Sequence, residues 1–518
     1  MSAPDLRPAH VEPRRLREIA LAVGALDDGA QAGDDPMVTG VTHDSRAVRR
    51  GDLYAGLPGA RAHGAAFAAD AARLGAVAML TDPAGAAHAA NAGLPTVVVA
   101  DPRALLGPVA AQVYGQPSRR LRCFGVTGTN GKTTTSYLVE SGLRAAGATT
   151  GLIGTIETRI GEESVPSART TPEGSDLQAL LATMAERGVG AVAMEVSSHA
   201  LALRRVDGTR FAVVAFTNLS QDHLDFHADL DDYFAAKARL FAPSFAAIGL
   251  ANADDERGRR LLADPRIETL GFSLAGAPAA AWRASDVVVE AAGSRFTAHG
   301  PGGLAMSVRT ALAGRFNAAN ALAAVAMLVT AGVDPGAAAA GIAALRGVPG
   351  RLEPVDAGQP FAAFVDYAHT PEAVTAVLQE LRSTVARPSG RLIVVLGCGG
   401  DRDAAKRPLM GAAAARLADL AVLTSDNPRS EDPQAILDQV TAGAESVAAE
   451  QRGEVVVQID RAAAIGVAVA RARAGDVLVV AGKGHEQGQE VAGVIHPFDD
   501  RRELRAQLAA HGFAGAPR

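Results

Sequence analysis

The segment GVTGTNGKTTTS, residues 125–136, has the residue types that hold the phosphates of a nucleotide. A strict phosphate-binding loop has a glycine five residues before its Gly-Lys pair, and this chain has Val126 at that position. The remaining residues still bring backbone amides and a helix N-terminus to one pocket. Lys132 would neutralise the terminal phosphates there, and Thr133 would offer its hydroxyl to Mg²⁺. We therefore expect a phosphate site, with a glycine turn that carries a chance Gly-Lys-Thr as the alternative.

Two polar clusters downstream have the side chains of a metal site. Glu195 ends the apolar run AVAME, where no structural carboxylate is needed, so it is a candidate to bind Mg²⁺ or to position water. Alone, the polar run after the next apolar segment would be typical of a hydrated loop with a helix cap. Beside a phosphate loop, it favours a second metal or phosphate site. This run, TNLSQDHLDFH, contains Asn218, Asp222, His223, Asp225 and His227.

Lys237 lies fourteen residues after His223, in the helical stretch YFAAKARLF. Aromatic neighbours on that helix could bury part of its side chain. Most lysines on such helices extend the ammonium group into solvent, and this is the simplest interpretation of the residue type alone.

Parallel strands must position these clusters, because ligands bind at the carboxyl ends of the strands in open α/β sheets. In the last third of the chain, an apolar strand candidate precedes each of VDYAHTP, GCGGDRD, SDNPRS and GKGHE. The phosphate loop, EVSSHAL and TNLSQDHLDFH follow earlier strand candidates in the same way. One edge of each of two sheets should therefore carry the unusual residues, and we expect both edges to bind ligands.

The pattern of strands and helices predicts an α/β protein with three domains. We expect a small N-terminal α/β domain at residues 1–119 and a central, mainly parallel α/β ATPase domain of the P-loop type at residues 120–346. A Rossmann-like, doubly wound C-terminal domain is expected at residues 347–518. A chain of 518 residues exceeds what one hydrophobic core usually supports, which agrees with this division.

Composition and charge narrow the class of protein. A formal net charge of -6 gives no general basic surface for nucleic acid, and the longest apolar run, ALAAVAMLVTAGV, is too short to span a bilayer. Cys123 and Cys398 are the only cysteines, as expected of reduced thiols in a cytosolic protein, and the N-terminus has no apolar core of a signal peptide. We expect a cytoplasmic monomer that binds small molecules, with no nucleic acid and no membrane insertion.

As a group, these motifs resemble the Mur ligases, ATP-dependent enzymes that form amide bonds in bacterial peptidoglycan synthesis. The similarity covers nearly the whole chain, in the family's order: TGTNGKTTT, EVSSH, TNLSQDHLDFH, AAKARLF, GRFNAANALAA, GVPGRLE, DYAHTP and GKGHE. HDSR near residue 44 and DNPR near residue 426 resemble motifs of one group within this family. Members of that group add meso-2,6-diaminopimelate to UDP-N-acetylmuramoyl-L-alanyl-D-glutamate. The resemblance implies that these two compounds and ATP are the substrates.

The resemblance also implies an ATP site with two magnesium ions. Thr133 and Glu195 would hold one Mg²⁺, and His223 would hold the second together with Lys237. In this family that lysine is carbamylated by CO₂ and acts as a carboxylate, which reverses the solvent-exposed interpretation. The residues implied to bind the ATP phosphates are Gly128, Thr129, Asn130, Gly131, Lys132, Thr133 and Thr134. Those implied to act in catalysis are Lys132, Glu195, His223 and Lys237.

Residues farther along the chain complete the implied nucleotide and substrate sites. Asn317 resembles the residue that contacts the adenine, while Arg351 and Asp366 resemble residues of the third domain that close on the nucleotide. Arg169 and Leu203 depart from the asparagine and glutamine of a relative, at positions that border the UDP-linked substrate. The implied contacts of that substrate are Ser45, Thr170, Thr171, Ser197 and Arg205.

Selection of the amino acid depends on a second carboxylate. Diaminopimelate differs from lysine by a carboxylate at its far end, and an arginine fork is suited to bind it, so Arg429 in DNPR is the predicted specificity residue. Lysine would leave that guanidinium without a partner and should be rejected. An Asn-Pro turn with an exposed arginine is the alternative for SDNPRS. The resemblance implies the rest of this site: Arg402, Asp426, Asn427, Pro428, Gly482 and Glu486.

The implied reaction transfers the γ-phosphoryl group of ATP to the γ-carboxylate of the substrate's glutamate. Phosphate is a good leaving group, so the amine of diaminopimelate can attack the acyl phosphate and form an amide. His369 in DYAHTP is a candidate to accept the proton of that amine. Three other functions stay open: a lysine-adding ligase of the same design, a folate-polyglutamate ligase, and a phosphate-loop switch or motor that hydrolyses ATP without an amino acid.

Overall fold

The computed structural model describes residues 6–25, 35–290, 293–385 and 390–513. Its three largest sheets follow one another along the chain. The first five residues of the predicted N-terminal domain and the last five of the predicted C-terminal domain lie outside the described residues. Within the described residues, no helix combines the length and the apolar character needed to cross a membrane.

The N-terminal unit is a small α/β layer. It contains β1 (Arg14–Arg15), α1 (Leu16–Ala22), β2 (Met37–Val38), β3 (Gly40–Thr42), β4 (Asp52–Gly56), α2 (Ala68–Leu74), β5 (Ala78–Thr81), α3 (Ala86–Asn91), β6 (Thr96–Val98) and α4 (Pro102–Val113). Strands β3 to β6 form a parallel sheet in chain order, while β1 and β2 pair antiparallel. Leu53 and Leu80 of this sheet share a core with Leu106 and Val109 of α4.

The central unit is built on an eleven-stranded sheet. Its strands are β7 (Arg122–Thr127), β8 (Thr150–Ile153), β9 (Glu157–Ile160), β10 (Glu163–Pro166), β11 (Ala191–Glu195), β12 (Val213–Phe216), β13 (Ile248–Asn252), β14 (Glu268–Ser273), β15 (Trp282–Glu290), β16 (Gly293–His299) and β17 (Ala305–Thr310). The spatial order is β10-β9-β8-β11-β7-β12-β13-β14-β15-β16-β17. In this spatial order, the seven neighbouring strands that begin with β8 and end with β15 pair in parallel. Antiparallel strands extend the sheet at both ends, so the expected mainly parallel sheet is confirmed.

Helices of the central unit cover this sheet. They are α5 (Lys132–Ala145), α6 (Gly174–Glu186), α7 (Ser198–Ala202), α8 (Leu230–Ala238), α9 (Glu256–Leu262), α10 (Arg315–Thr330) and α11 (Pro335–Ala344). All but the last three residues of the apolar run noted in the sequence lie in α10, where Leu322, Val325 and Leu328 are fully buried. This run is therefore a core helix.

The third unit is a doubly wound sheet. Its elements are β18 (Glu353–Pro354), β19 (Ala362–Asp366), α12 (Pro371–Thr384), β20 (Leu392–Cys398), α13 (Lys406–Leu417), β21 (Leu420–Ser425), α14 (Pro433–Glu445), β22 (Glu454–Val457), α15 (Arg461–Arg471), β23 (Val477–Ala481), β24 (Gly488–Val491), β25 (Val494–Pro497) and α16 (Asp500–Ala510). The order is β18-β19-β23-β20-β21-β22, parallel except for β18, while β24 and β25 form a separate hairpin. The four strands predicted to precede the polar motifs of this domain are present, as β19, β20, β21 and β23.

Parallel pairing brings the predicted loops to one edge of each sheet. Strand β7 lies between β11 and β12, so the phosphate loop leaves the sheet beside EVSSH and TNLSQDH. In the third unit, β19, β23, β20 and β21 are neighbours, and DYAHTP, GKGHE, GCGGDRD and SDNPRS follow them. The fold therefore gathers the polar motifs at two strand edges, as expected.

Close packing of α13 on α14 sets the spacing between two of these loops. Helix α13 begins after GCGGDRD, and α14 begins after SDNPRS. A Cβ atom on Gly411 of α13 would lie 1.9 Å from the carbonyl oxygen of Val440, and one on Gly443 of α14 would lie 2.0 Å from that of Pro408. The two helices therefore meet backbone to backbone, at positions where only glycine fits.

Gly411→Ala should destabilise the protein by roughly 2 kcal/mol or more, because the added methyl group fits only if a helix moves. Gly466→Ala on α15 is the matched control, since the nearest atoms to its Cβ belong to the flexible Gln507 side chain. Alanine's better helix propensity should keep that variant within about 1 kcal/mol of the original. Urea unfolding followed by circular dichroism measures both. Equal effects of the two substitutions would contradict this packing.

Candidate active site

A cavity of about 840 Å³ lies between the strand edges of the central and third units. Its walls include Thr155 and Asp222 from the central unit, and His369 and Lys406 from the third. The structure thus joins the predicted amino-acid site and part of the predicted metal site in one space. Besides Asp222 and His369, the site residues predicted from the sequence that line this cavity are Thr170, His223, Asp225, Arg402, Asp426, Asn427, Arg429, Gly482 and Glu486.

The phosphate loop is held in shape by the loop that follows β12. The Thr129 amide donates to the Asn218 carbonyl oxygen at 2.8 Å, and the Asn130 amide donates to the Asn218 side chain at 2.9 Å. Gly128 has a φ of 146°, and a Cβ atom there would lie 1.9 Å from the Thr217 hydroxyl oxygen, so this position requires glycine. Helix α5 begins directly after the loop, where the first amides of a helix have no acceptor within it. The loop is therefore suited to bind an anion.

Two ammonium groups, of the half-buried Lys132 and the buried Lys237, meet at this loop. Lys132 donates to the carbonyl oxygens of Gly128 and Thr129 at 2.9 and 2.8 Å, and Lys237 donates to the same Gly128 oxygen at 2.7 Å. Burial lowers the pKa of Lys132, and burial together with the charge of Lys132 holds the pKa of Lys237 well below its ordinary value. The Lys237 ammonium lies 4.4 Å from the centre of the Tyr233 ring, so the solvent-exposed interpretation of this lysine is wrong.

Glu195 ends β11 as predicted, and its side chain is buried. One carboxylate oxygen accepts hydrogen bonds from the hydroxyls of Thr133 and Thr155, each at 3.0 Å, and the other accepts from the Thr155 amide at 2.8 Å. The Thr155 hydroxyl also contacts that of Thr170 at 3.0 Å. Sequence reasoning missed Thr155, although it follows the apolar run GLIG in the same way as the predicted residues follow theirs.

Asp222 joins the central unit to the third. Its carboxylate lies 3.7 Å from the Lys406 ammonium and 3.8 Å from Nε2 of His369. Burial alone would raise the pKa of Asp222, but its interactions with the nearby His369, His223 and Lys406 lower it to about 2. Lys406 was missed in the sequence, where it stands three residues after the GCGGDRD motif. The carboxylate is therefore ionised and attracts the third unit.

Arg351 makes a second contact between the third and central units. Its Nη2 donates to the Thr133 hydroxyl at 3.1 Å, and its guanidinium lies 4.5 Å from the centre of the Tyr367 ring. The buried Asp366 carboxylate accepts from the amides of Leu352 and Ala368, at 2.7 and 2.8 Å. Asp366 thus fixes the segment next to Arg351, and burial raises its pKa.

His223 and Asn317 are two further residues predicted for the metal and nucleotide sites. His223 has a φ of 58°, and burial lowers the pKa of its imidazole to about 3, so the ring is neutral and able to bind a metal ion. Asn317 is buried in α10 and accepts a hydrogen bond from Asn320 at 3.2 Å. A Cβ atom on Gly131 would lie 2.4 Å from the Asn320 side-chain oxygen. Asn317 therefore reaches the phosphate loop through Asn320.

Three residues predicted to bind the UDP-linked substrate gather around Glu195. The Thr171 hydroxyl donates to the Glu195 carbonyl oxygen at 2.9 Å and accepts from the Ser197 amide at 3.2 Å. Thr170 reaches the Glu195 carboxylate through Thr155. These residues therefore adjoin the phosphate loop.

Arg205 and Arg169 share one carboxylate. Glu173 lies 2.8 Å from Arg205 and 2.6 Å from Arg169, so Arg169, which departs from the relative's asparagine, forms an ion pair at the cavity wall. Leu203 directly follows α7 and stands two residues before Arg205.

Ser45 lies in the N-terminal unit, apart from the other predicted contacts of the substrate. It begins a short 3₁₀ turn at Ser45–Ala47. His43, two residues earlier, contacts the Ser175 hydroxyl of the central unit at 3.0 Å. The N-terminal and central units therefore meet beside Ser45.

Lys483 organises the predicted amino-acid site, although sequence reasoning missed it. Its fully buried ammonium donates to the Asn427 side chain at 2.9 Å and to the Glu486 carboxylate at 3.2 Å, and it lies 3.8 Å from the Asp426 carboxylate. The Asn427 side chain also donates to Glu486 at 2.8 Å. The GKGHE and SDNPRS loops are thus locked together by charge.

Loop geometry accounts for the other predicted residues of this site. Gly482 has a φ of 115°, and a Cβ atom there would lie 2.5 Å from the Asp426 carboxylate. The Pro428 carbonyl accepts from the Glu431 amide at 3.0 Å, which closes a turn. Arg402 is exposed at the cavity rim and donates to the carbonyl oxygen of the preceding residue at 3.1 Å.

Arg429 lies at the cavity wall with its side chain 22% exposed, so it is not the exposed arginine of the alternative interpretation. Its φ is 53°, and Nη1 donates to the Gly400 carbonyl oxygen at 2.7 Å. The guanidinium is therefore held by the GCGGDRD loop from one side.

Three family models match consecutive parts of the chain: "Mur ligase family, catalytic domain" at residues 37–114, "Mur ligase middle domain" at 126–328 and "Mur ligase, glutamate ligase domain" at 350–484. A Streptomyces avermitilis protein named UDP-N-acetylmuramoyl-L-alanyl-D-glutamate--2,6-diaminopimelate ligase is 60% identical over 502 residues, which cover 97% of this chain and 98% of the relative. The chain belongs to the Mur ligase family. The resemblance stated from the motifs is confirmed.

Other comparisons agree with this membership. A Streptomyces coelicolor protein of the same name is 58% identical over 504 residues, 97% of this chain and 98% of its own. A solved structure described by that name has a TM-score of 0.68 and 32% identity, and the match covers 96% of this chain and 99% of that chain. The three matched segments of this Mur ligase fall within the three predicted domains, whose boundaries stay a prediction.

Lys237→Met should remove part of the pH dependence of stability. Because the pKa of Lys237 is lowered in the native state, the unfolded chain binds more protons, and stability rises with pH between that native pKa and about 10.5. The variant should lack up to about 1.4 kcal/mol of this rise per pH unit. Urea unfolding of both proteins from about pH 7 to about pH 10, in CO₂-free buffer, measures the difference.

A direct readout is available because the chain has four lysines, whose ¹³Cε signals can be resolved: Lys132, Lys237, Lys406 and Lys483. The signal that Lys237→Met removes should titrate well below 10.5 in the intact protein. A titration near 10.5, with parallel stability curves for the two proteins, would contradict a buried and perturbed amine.

Proposed function

We propose that this Mur ligase is an ADP-forming enzyme that adds meso-2,6-diaminopimelate to UDP-N-acetylmuramoyl-L-alanyl-D-glutamate, in the synthesis of peptidoglycan precursors. One observation carries the proposal: a single cavity is lined both by Asp222 and His223, from the predicted metal site, and by Arg429, from the predicted amino-acid site. Beside it, Arg351 of the third unit reaches Thr133 of the phosphate loop. Two relatives named for this reaction are 60% and 58% identical over nearly the whole chain.

The reaction brings two anions together. An oxygen of the substrate's γ-carboxylate bonds to the γ-phosphorus as the bond to ADP breaks, which gives an acyl phosphate. The amine of diaminopimelate then attacks the acyl carbon, and phosphate leaves with that oxygen. Catalysis is therefore mainly charge neutralisation and alignment. Lys132 and Arg351 are suited to this task, because both reach the phosphate loop.

Magnesium belongs to this proposal, and the donors fit it. Mg²⁺ takes most of its ligands from phosphates and water, so few protein oxygens are needed. The Thr133 hydroxyl and the Glu195 carboxylate, 3.0 Å apart, would hold one ion, and the neutral His223 imidazole would serve the second. When bound, the ions would neutralise charge on the phosphates and on the carboxylate.

The surroundings of Lys237 fit a carbamate. CO₂ adds to an unprotonated amine, and burial holds the pKa of this lysine well below its ordinary value. The added carboxylate would pair with the nearby Lys132 ammonium, which turns the repulsion between two lysines into an attraction. It would also offer Mg²⁺ an oxygen ligand beside His223.

The amino-acid site fits diaminopimelate better than lysine. Arg429 would bind the carboxylate at the far end of the amino acid, because it lines the cavity and only one of its guanidinium nitrogens donates to the Gly400 carbonyl oxygen. Around it, Asp426, Asn427 and Glu486 are held by Lys483. Arg402, Pro428 and Gly482 complete the proposed contacts.

His369 is the proposed acceptor of the amine proton. Burial and the charge of Lys406 lower the pKa of its imidazole, so a free nitrogen is available at neutral pH. Nδ1 lies 2.7 Å from the Tyr367 carbonyl oxygen, which assigns the proton to that nitrogen. Nε2 is then the basic atom, on the side of Asp222.

Further parts of the proposal concern the nucleotide, the substrate and the cell. Asn317 would contact the adenine, and Arg351 with Asp366 would close on the nucleotide when the third domain approaches. We expect a monomer in the cytoplasm. The UDP-linked substrate would lie along Ser45, Thr170, Thr171, Ser197 and Arg205.

The assay that tests this function measures phosphate release with Mg-ATP and the UDP-linked dipeptide, with meso-diaminopimelate or L-lysine added in parallel. We expect release and a product heavier by one diaminopimelate residue, with lysine nearly inert, because lysine has no far carboxylate to bind the rest of the half-buried Arg429 guanidinium. Mass spectrometry of the product identifies the added residue.

Each alternative function gives a different result in this assay. Equal use of lysine would favour the lysine-adding ligase, and activity on a folate substrate would favour the folate-polyglutamate ligase. A rate of phosphate release that is the same with and without any amino acid would favour the ATP-hydrolysing switch.

A further inference from the structure

The hairpin formed by β24 and β25 is attached to the loop that carries Arg429. The Arg429 amide donates to the Glu490 carbonyl oxygen at 3.0 Å, and the Glu490 amide donates to the Asn427 side chain at 3.0 Å. The Ala492 amide donates back to the Arg429 carbonyl oxygen at 2.7 Å. The backbone of Glu490 is thereby fixed against the two residues that flank Pro428.

The Glu490 side chain lies beside the guanidinium of Arg429. Its carboxylate is 3.6 Å from Nε of Arg429, and it is 38% exposed on the wall of the cavity. Since Nη1 is used by the Gly400 carbonyl, Glu490 and Gly400 hold the arginine from two directions. The rest of the fork is left for a carboxylate from the cavity.

Glu490 differs in its partners from the other acidic residues of this site. Asp426 and Glu486 both face the Lys483 ammonium, and Glu486 also accepts from Asn427 and from the Tyr367 hydroxyl. Across the part of the chain that the structure describes, Glu490 forms one ion pair, with Arg429. Its carboxylate is therefore the one best able to take a new cation.

We infer that Glu490 binds the ammonium group at the far end of the amino acid, while Arg429 binds the carboxylate at that same end. In an amino acid the two groups are bonded to one carbon, so a ligand carboxylate on Arg429 brings its ammonium to a carboxylate beside that guanidinium. The pair Arg429–Glu490 then determines specificity, because it binds both the carboxylate and the ammonium group at the far end of the amino acid. This inference rests on the proposed function.

The test compares the intact protein with Glu490→Gln, on meso-diaminopimelate and on L-2-aminopimelate. The second compound keeps both carboxylates and the carbon chain but has no far ammonium. We expect the substitution to raise KM for diaminopimelate about tenfold and to leave KM for 2-aminopimelate within about twofold, with kcat unchanged. Glu445→Gln, at an exposed position on α14, is the matched control and should behave as the original protein.

Each other outcome overturns the inference in a recognisable way. An equal rise of both KM values would mean that Glu490 only orients Arg429, and a fall of both would mean that it competes with the ligand's carboxylate. Unchanged values would mean that it contacts neither group. If Glu490→Gln folds poorly, Glu490→Asp is measured in its place. This variant keeps the charge and should keep the preference for diaminopimelate over 2-aminopimelate. If the original protein does not use diaminopimelate at all, the proposed function fails instead.

Discussion

The ammonium groups of Lys132 and Lys237 converge on one carbonyl oxygen, that of Gly128. Loss of hydration lowers the pKa of both amines, and the charge of Lys132 lowers that of Lys237 further, at a cost in stability. The acidic side chains nearby, Glu195 and Asp222, offset part of this cost. Such an arrangement suits a site where a phosphoryl group and a carboxylate must meet, since both anions need positive charge placed in advance.

The same requirement explains why two sheets face each other across one cavity. An acyl phosphate must be kept from water until the amine arrives, so the nucleotide and amino-acid sites have to share an enclosed space. Arg351 to Thr133 and Lys406 to Asp222 connect the two sides, and each contact joins a charged or polar group of one sheet edge to the other. Through these contacts, a change of charge at the phosphate loop would change the strength with which the third unit binds the central unit.

The sequence predicted the elements that obey local rules. Strand ends followed by polar motifs were recognised because buried parallel strands are continuous apolar runs, and the topology then brought these ends together. Thr155, Lys406 and Lys483 were missed because their importance comes from partners that are distant in the sequence or lie in neighbouring loops. One signal was overlooked: lysine is rare in this chain, and all four lysines lie at the site. The hairpin that holds Glu490 could not be placed, since its role depends on backbone contacts with the Arg429 loop.

The most direct test of the account follows one oxygen atom. The UDP-linked dipeptide is prepared with ¹⁸O in the γ-carboxylate of its glutamate, and the phosphate released with ATP and diaminopimelate is examined by mass spectrometry. An acyl phosphate transfers one labelled oxygen to each phosphate, and this is the result that the account predicts. Unlabelled phosphate, with its new oxygen taken from water, would contradict the account, because ATP would then be hydrolysed without activating the carboxylate.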